Sequence, residues 1–249
     1  MKEAIEKYKK EHGLKAFCPK AVLFDMDGVL YDSMKYHAIA WHEAMKKYGI
    51  KMSELEAYQY EGMRGVETIT IMCREQWGRE ISESEAQEMY MEKSRIFHTL
   101  TSAEIMPGVQ DLQRMLLAKG LSISVVTGSG QPPLLAKLAR DFKGLIDTER
   151  IVSAKDVSRG KPAPDPYLLG MERAGSKPTE TIVVENAPLG VQSGKAAGCF
   201  VIAVNTGPLP DEVLLQSGAD VIFHDMDSVR AELEPCLLER SEGLNFRKQ

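Results

Sequence analysis

Apolar and polar positions change their rhythm twice along this chain. Residues 1–20 are rich in lysine and glutamate, with Ile5, Leu14 and Phe17 as isolated apolar points. That pattern predicts a short helix or a leader segment packed on something larger. The run Ala21-Val22-Leu23-Phe24 then predicts a short buried strand over about 21–25. Between Met34 and Ile105 the apolar positions recur at helical spacing, predicting helices over 34–48, 53–60, 66–77 and 83–99. Gly49, Gly62 and Gly78 punctuate this stretch, and Ser53 and Ser82 are candidate N-caps. From Pro107 onward strands and helices alternate, which implies a parallel sheet with crossover helices. The expected fold is therefore α/β. A Rossmann-like parallel-sheet core over 21–33 and 106–249 is interrupted by a helical bundle over 34–105 and preceded by an extension over 1–20.

The chemistry gathers where strands end. Asp25-Met26-Asp27-Gly28 follows the first strand and carries two carboxylates two residues apart, a spacing that turns both toward one side of an extended chain. One could serve as nucleophile and the other as proton donor, a division that suits phosphoryl transfer through an aspartyl-phosphate. Ser122-Ile123-Ser124-Val125-Val126 predicts a second strand ending at Thr127-Gly128-Ser129-Gly130, where a hydroxyl and free N–H groups can hold phosphate oxygens. Gly160-Lys161-Pro162 lies in a loop, and Thr181-Ile182-Val183-Val184 predicts a strand ending at Glu185-Asn186-Ala187-Pro188. Each piece has an ordinary alternative: Thr127 as a turn residue, Lys161 as a solvated charge, Asn186 as a helix N-cap ahead of Pro188. Their joint occurrence argues for one site, because open α/β sheets place ligands outside the carboxyl ends of their strands. A second Asp-Met-Asp, at residues 225–227, lacks the glycine and downstream partners. There Asp227 is expected to cap a last helix beginning near Ser228.

Taken together, these motifs resemble those of haloacid-dehalogenase-superfamily phosphohydrolases, in the branch with a helical cap that includes β-phosphoglucomutase-like enzymes. The resemblance runs from about Ala21 to Leu233. It implies Asp25 as nucleophile, Asp27 as general acid/base, and Thr127 and Lys161 as holders of the transferring phosphoryl group, with Gly128 and Ser129 in the same loop. It also implies Mg²⁺ held by Asp25, the main-chain carbonyl of Asp27, Glu185 and Asn186. The aspartate two residues after the nucleophile marks phosphatases and mutases and makes dehalogenation unexpected. In the cap, the likeness points to His37 as a hinge histidine, to Lys93 as a lysine reaching the closed site, and to Tyr60-Glu61-Gly62-Met63-Arg64-Gly65 as the substrate-specificity loop. Trp41, beside His37 on the same predicted helix, is a candidate for either packing or the site.

The departures from the mutase pattern set the functional expectation. Glu61 replaces a lysine, Arg64 stands one place off the arginine that grips a distal phosphate, and Gly130 replaces another lysine. Loss of cationic grips and gain of a carboxylate disfavour a sugar bisphosphate. A cap glutamate with an asparagine in the metal motif resembles pyrophosphatase-type members instead. The leading expectation is an Mg²⁺-dependent phosphohydrolase acting on inorganic pyrophosphate or a small phosphorylated metabolite. A sugar-phosphate mutase is the alternative, followed by a non-catalytic phosphate-binding relative.

Composition narrows the setting. Hydrophobic residues at 43% supply a core, and a net charge of −5 with no basic patch argues against nucleic-acid binding. Cys18, Cys73, Cys199 and Cys236 lack metal or redox spacing, which suggests reduced thiols in a cytoplasm. No apolar leader or membrane-length run is visible, so neither a signal peptide nor a membrane span is expected. A monomer is expected.

Overall fold

A computed structural model describes residues 1–100 and 103–237. The expected core boundary at 249 and the segment 240–249 lie outside the described residues. Six parallel strands form one sheet: β1 (Ala21–Phe24), β2 (Ser122–Val126), β3 (Ile151–Val152), β4 (Thr181–Glu185), β5 (Phe200–Val204) and β6 (Val221–Phe223). Their order is β3-β2-β1-β4-β5-β6. Period-two side-chain alternation divides each central strand between two cores. Val22 and Phe24 of β1, Ile182 and Val184 of β4, and Phe200 and Ile202 of β5 face one core. Ala21, Leu23, Val183, Val201 and Ala203 face the other. Both faces are thus covered, as parallel sheets require.

α1 (Lys2–Glu11) packs on the first of these cores through Ile5 and Tyr8. The Tyr8 hydroxyl donates to the Gly198 carbonyl at 2.7 Å, and its ring meets Phe200 edge-on at 5.4 Å. Four helices follow β1: α2 (Met34–Lys47), α3 (Glu54–Gln59), α4 (Gly65–Trp77) and α5 (Glu83–Thr99). They share a third hydrophobic cluster that includes Trp41, Met45, Ile69 and Met89. Ser53 and Ser82 cap α3 and α5 as expected, each in a reciprocal capping box with Glu56 or Glu85.

The remaining helices are α6 (Val109–Ala118), α7 (Pro132–Asp141), α8 (Asp165–Ala174), α9 (Pro188–Ala196), α10 (Asp211–Gln216) and α11 (Met226–Leu233). The expected cap of the last helix needs correction. Asp225, not Asp227, accepts the Ser228 N–H at 2.6 Å, because Asp225 has extended backbone and the helix starts one residue after it. No described helix is long and apolar enough to cross a membrane.

Candidate active site

β1 lies between β2 and β4, in register Phe24 to Val125 and Phe24 to Val184. This pairing brings Asp25, Thr127 and Glu185 to adjacent strand tips. The chain leaves β1 through Gly28, whose φ of +82° suits glycine. Any Cβ there would also lie 2.0 Å from the Asn186 amide nitrogen. The turn therefore needs glycine for its conformation and for the close approach of Asn186.

The first cluster centres on Lys161. Its ammonium, fully buried, donates to Asp25 Oδ1 at 2.5 Å, Glu185 Oε1 at 2.6 Å and the Val126 carbonyl at 3.0 Å. Burial alone would lower the lysine's pKa, but the two carboxylates outweigh burial and raise it, so Lys161 remains a cation. Burial pushes the Asp25 carboxyl upward, with the Lys161 ammonium opposing it. The solvated-charge alternative for Lys161 is thereby excluded.

Glu185, expected as a metal ligand, is already occupied. Its Oε1 accepts from Lys161 and from the Tyr167 hydroxyl at 2.7 Å, and its Oε2 accepts the backbone N–H groups of Asn186 and Ala187. With both oxygens engaged, Glu185 acts as a buried counter-charge behind the site. Ala187, rather than Asn186, takes the N-cap position of α9. Asn186 Oδ1 is buried without a hydrogen-bond partner in the protein, and so is Ser129 Oγ. Such atoms require an explanation, since buried polar groups are nearly always paired. Thr127 is buried, and its Oγ1 accepts the Ser129 N–H at 3.0 Å, which shapes the loop that carries Ser129. Among the described residues, no three His, Cys, Asp or Glu side chains are grouped to hold a metal. The oxygen donors that do fit a hard cation are the Asp25 carboxylate, the Asp27 carbonyl and the unpartnered Asn186 amide oxygen.

The second cluster surrounds Asp27. Its Oδ1 accepts from Ser33 Oγ at 2.6 Å and faces His37 Nε2 at 3.1 Å, while His37 Nδ1 meets Lys93 Nζ at 2.7 Å. In the tautomer that carries its hydrogen on Nε2, His37 donates to Asp27 and its Nδ1 accepts from the Lys93 ammonium. Burial would raise the Asp27 pKa, but His37, Ser33 and Lys93 overcome it and hold the carboxyl at about 2. Lys93 is buried between the rings of Trp41 and Phe97, at 5.1 and 5.2 Å. Burial lowers its pKa to about 8, against the upward pull of Glu61 and Asp27. Burial raises the Glu61 pKa, opposed chiefly by His37.

Asp27, His37, Trp41, Glu61, Lys93, Gly128, Ser129 and Gln131 line a cavity of about 30 Å³, room for roughly two waters. Asp25, Thr127, Lys161, Glu185 and Asn186 are not among its lining residues. Neither is Arg64: its guanidinium leaves the cavity and donates to the Ser158 carbonyl at 3.0 Å. A larger, mainly apolar cavity of about 210 Å³ touches the other side of Asp27 and Ser33.

Sequence reasoning did not single out Ser33, Tyr167 or Gln131. Ser33 had a weak signal, as a polar residue opening a helix. Tyr167 carried none, since a buried aromatic on a helix does not disclose where its hydroxyl points.

Comparison with known proteins bears on the family and the fold. The sequence model for "haloacid dehalogenase-like hydrolase" matches residues 22–204. Hexitol phosphatase A of Escherichia coli is 34% identical over 217 residues, covering 87% of this chain and 95% of that protein. β-Phosphoglucomutase of Bacillus subtilis is 26% identical over 219 residues, covering 86% and 93%. A solved structure titled as a putative β-phosphoglucomutase from Bacteroides vulgatus superposes with a TM-score of 0.90 at 46% identity, covering 94% of this chain and 96% of that one.

Proposed function

The chain belongs to the haloacid dehalogenase-like hydrolase family and is an enzyme of the phosphatase kind, and we propose that it hydrolyses inorganic pyrophosphate through a phosphorylated Asp25. The observation that carries this reading is the small cavity of about 30 Å³, edged by Glu61 where the mutase pattern has a lysine. The site must widen toward Asp25 for any phosphorylated ligand, and a compact diphosphate asks for less widening than a hexose phosphate.

The protonation pattern supports the same substrate. An alcohol leaving group must be protonated as it departs, but phosphate leaves readily as an anion. Asp27, held at about 2, is ionised and poorly suited to donating a proton, which disfavours an alcohol leaving group. In the proposed sequence, Asp25 attacks phosphorus in line and phosphate departs. Asp27 then takes a proton from the water that attacks the aspartyl-phosphate, while His37 and Ser33 keep its carboxylate oriented. Lys161 offsets charge at the nucleophile, and Thr127, Gly128 and Ser129 receive phosphoryl oxygens.

We propose Mg²⁺ as the cofactor, held by Asp25, the Asp27 carbonyl and Asn186, with Glu185 behind them. When bound, it would neutralise phosphate charge and draw the reacting groups together. Replacing a carboxylate by Asn186 leaves that site less negative, which suits a ligand that brings its own anionic oxygens. Glu61 would hold a cation-complexed diphosphate or orient water from the cap side.

Sugar-phosphate hydrolysis or mutation is the second reading, favoured by the names of the relatives. The test is phosphate release with Mg²⁺ from pyrophosphate, an aryl phosphate and hexose phosphates, with β-glucose 1-phosphate also assayed for glucose 6-phosphate. Fast release from pyrophosphate supports the proposal. Glucose 6-phosphate formed with little free phosphate would replace it with the mutase reading.

A further inference from the structure

Arg64 N-caps α4 only three residues beyond Glu61, and its side chain lies outside the cavity, with Nη1 3.5 Å from Glu67 Oε1 in the first turn of the helix. It crosses to the α/β core, where Nη1 donates to the carbonyl of Ser158, three residues before Lys161. Its aliphatic stem lies over Gly160: a Cβ on that glycine would sit 2.8 Å from Arg64 Cγ. The preceding loop is equally close. A Cβ at Gly128 would lie 2.9 Å from the Gly62 carbonyl, and one at Gly62 would lie 3.0 Å from Lys161 Cδ. The Gly62 carbonyl thus packs directly on Gly128, while the stems of Arg64 and Lys161 lie against Gly160 and Gly62.

The opposite rim of the cavity is pinned as well. Gln131, which N-caps α7 in the core, accepts at Oε1 from Ser94 Oγ and His98 Nε2, both at 2.8 Å. Both donors stand on α5. The helical unit is therefore fastened to the core on two sides of the cavity, by groups that use main-chain and amide acceptors rather than substrate.

We infer that Arg64 is a positioning residue whose latch to Ser158, together with Gln131 across the cavity, holds the helical unit close enough to make the site selective for compact diphosphates over sugar phosphates. This inference rests on the pyrophosphate reading for its preferred substrate, but not for its geometry. A charge-assisted hydrogen bond of this kind is worth enough to shift a closing equilibrium by about tenfold. Losing it would leave the site open more often, lowering the rate with a ligand that needs closure and admitting bulkier ones.

The test compares wild type, R64A, R64M and Q131A, all Mg²⁺-loaded, on pyrophosphate, p-nitrophenyl phosphate and glucose 6-phosphate. R64M keeps the stem over Gly160 and loses the guanidinium with its contacts to Ser158 and Glu67, so it covers the case in which R64A folds poorly. The expected result is an about tenfold fall in kcat/KM for pyrophosphate with a rise for glucose 6-phosphate. A second readout needs no substrate. Trp41 lines the cavity and is only 6% exposed, so in a W77F background its quenching by acrylamide reports opening. Quenching should rise in R64A, R64M and Q131A. Parallel losses on all substrates with unchanged quenching would overturn the latch and make Arg64 a direct substrate grip. Unchanged selectivity and quenching would overturn it too. If wild type leaves pyrophosphate intact, the functional proposal falls. Quenching and the ratio of glucose 6-phosphate to p-nitrophenyl phosphate turnover would still decide on the latch.

Discussion

Lys93→Met should make the protein more stable and less active, and the size of the gain follows from its surroundings. The Lys93 ammonium is buried, and burial lowers its pKa from 10.5 to about 8. That difference corresponds to about 3 kcal/mol spent keeping the charged form in place at neutral pH. The sign follows from proton binding. Between pH 8 and 10.5 the unfolded chain holds more protons at this lysine than the folded one, so its contribution to stability improves as pH rises through that window. Methionine fills similar space without the charge and should raise Tm at pH 7 by roughly 6–12 °C for a chain of this size. Thermal unfolding of both proteins at pH 7 and pH 10 would check this, with the gap largely closed at the higher pH. Pyrophosphate turnover should fall by about a hundredfold, because His37 loses the partner that orients it toward Asp27. A variant less stable than wild type at pH 7, or a gap equal at both pH values, would refute the reasoning.

Four further outcomes are expected. Asp25→Asn should abolish phosphate release while leaving the melting curve near that of wild type; wild-type-like turnover would remove Asp25 as nucleophile. Glu61→Ala should harm pyrophosphate hydrolysis more than aryl phosphate hydrolysis, and equal losses would undo the specificity argument. Asn186→Asp should tighten Mg²⁺ binding by about tenfold in calorimetric titration, since it adds a carboxylate where an amide oxygen now stands unpartnered. Tyr167→Phe removes a donor from Glu185 and should cost about 1–2 kcal/mol in urea unfolding, with no effect if Glu185 is satisfied without it.

What the chain declares locally, it declares clearly. The alternation of β1, β4 and β5 between two cores, the capping boxes at Ser53 and Ser82, and the polar residues at strand tips all depend on neighbours a few positions away. Period and turn chemistry are written in consecutive residues, so the parallel α/β architecture with its helical insertion was legible from them. The misreading of Asp227 for Asp225 as a cap came from two aspartates with equal capping chemistry whose backbone angles no sequence states.

Only the tertiary structure decided how the site is wired. Lys161 and Asp25 are 136 residues apart, and Lys93 and His37 are 56 apart, yet each pair meets within hydrogen-bond distance. Residue type announced that these groups could act. It did not say that Glu185 would spend both oxygens on protein donors, that Asp27 would be held ionised, or that Arg64 would turn from the cavity to Ser158. Those outcomes depend on burial and on which partner lies nearest once remote segments pack. Charge and hydrogen bonding in a dry interior follow distances that the linear order of residues does not contain.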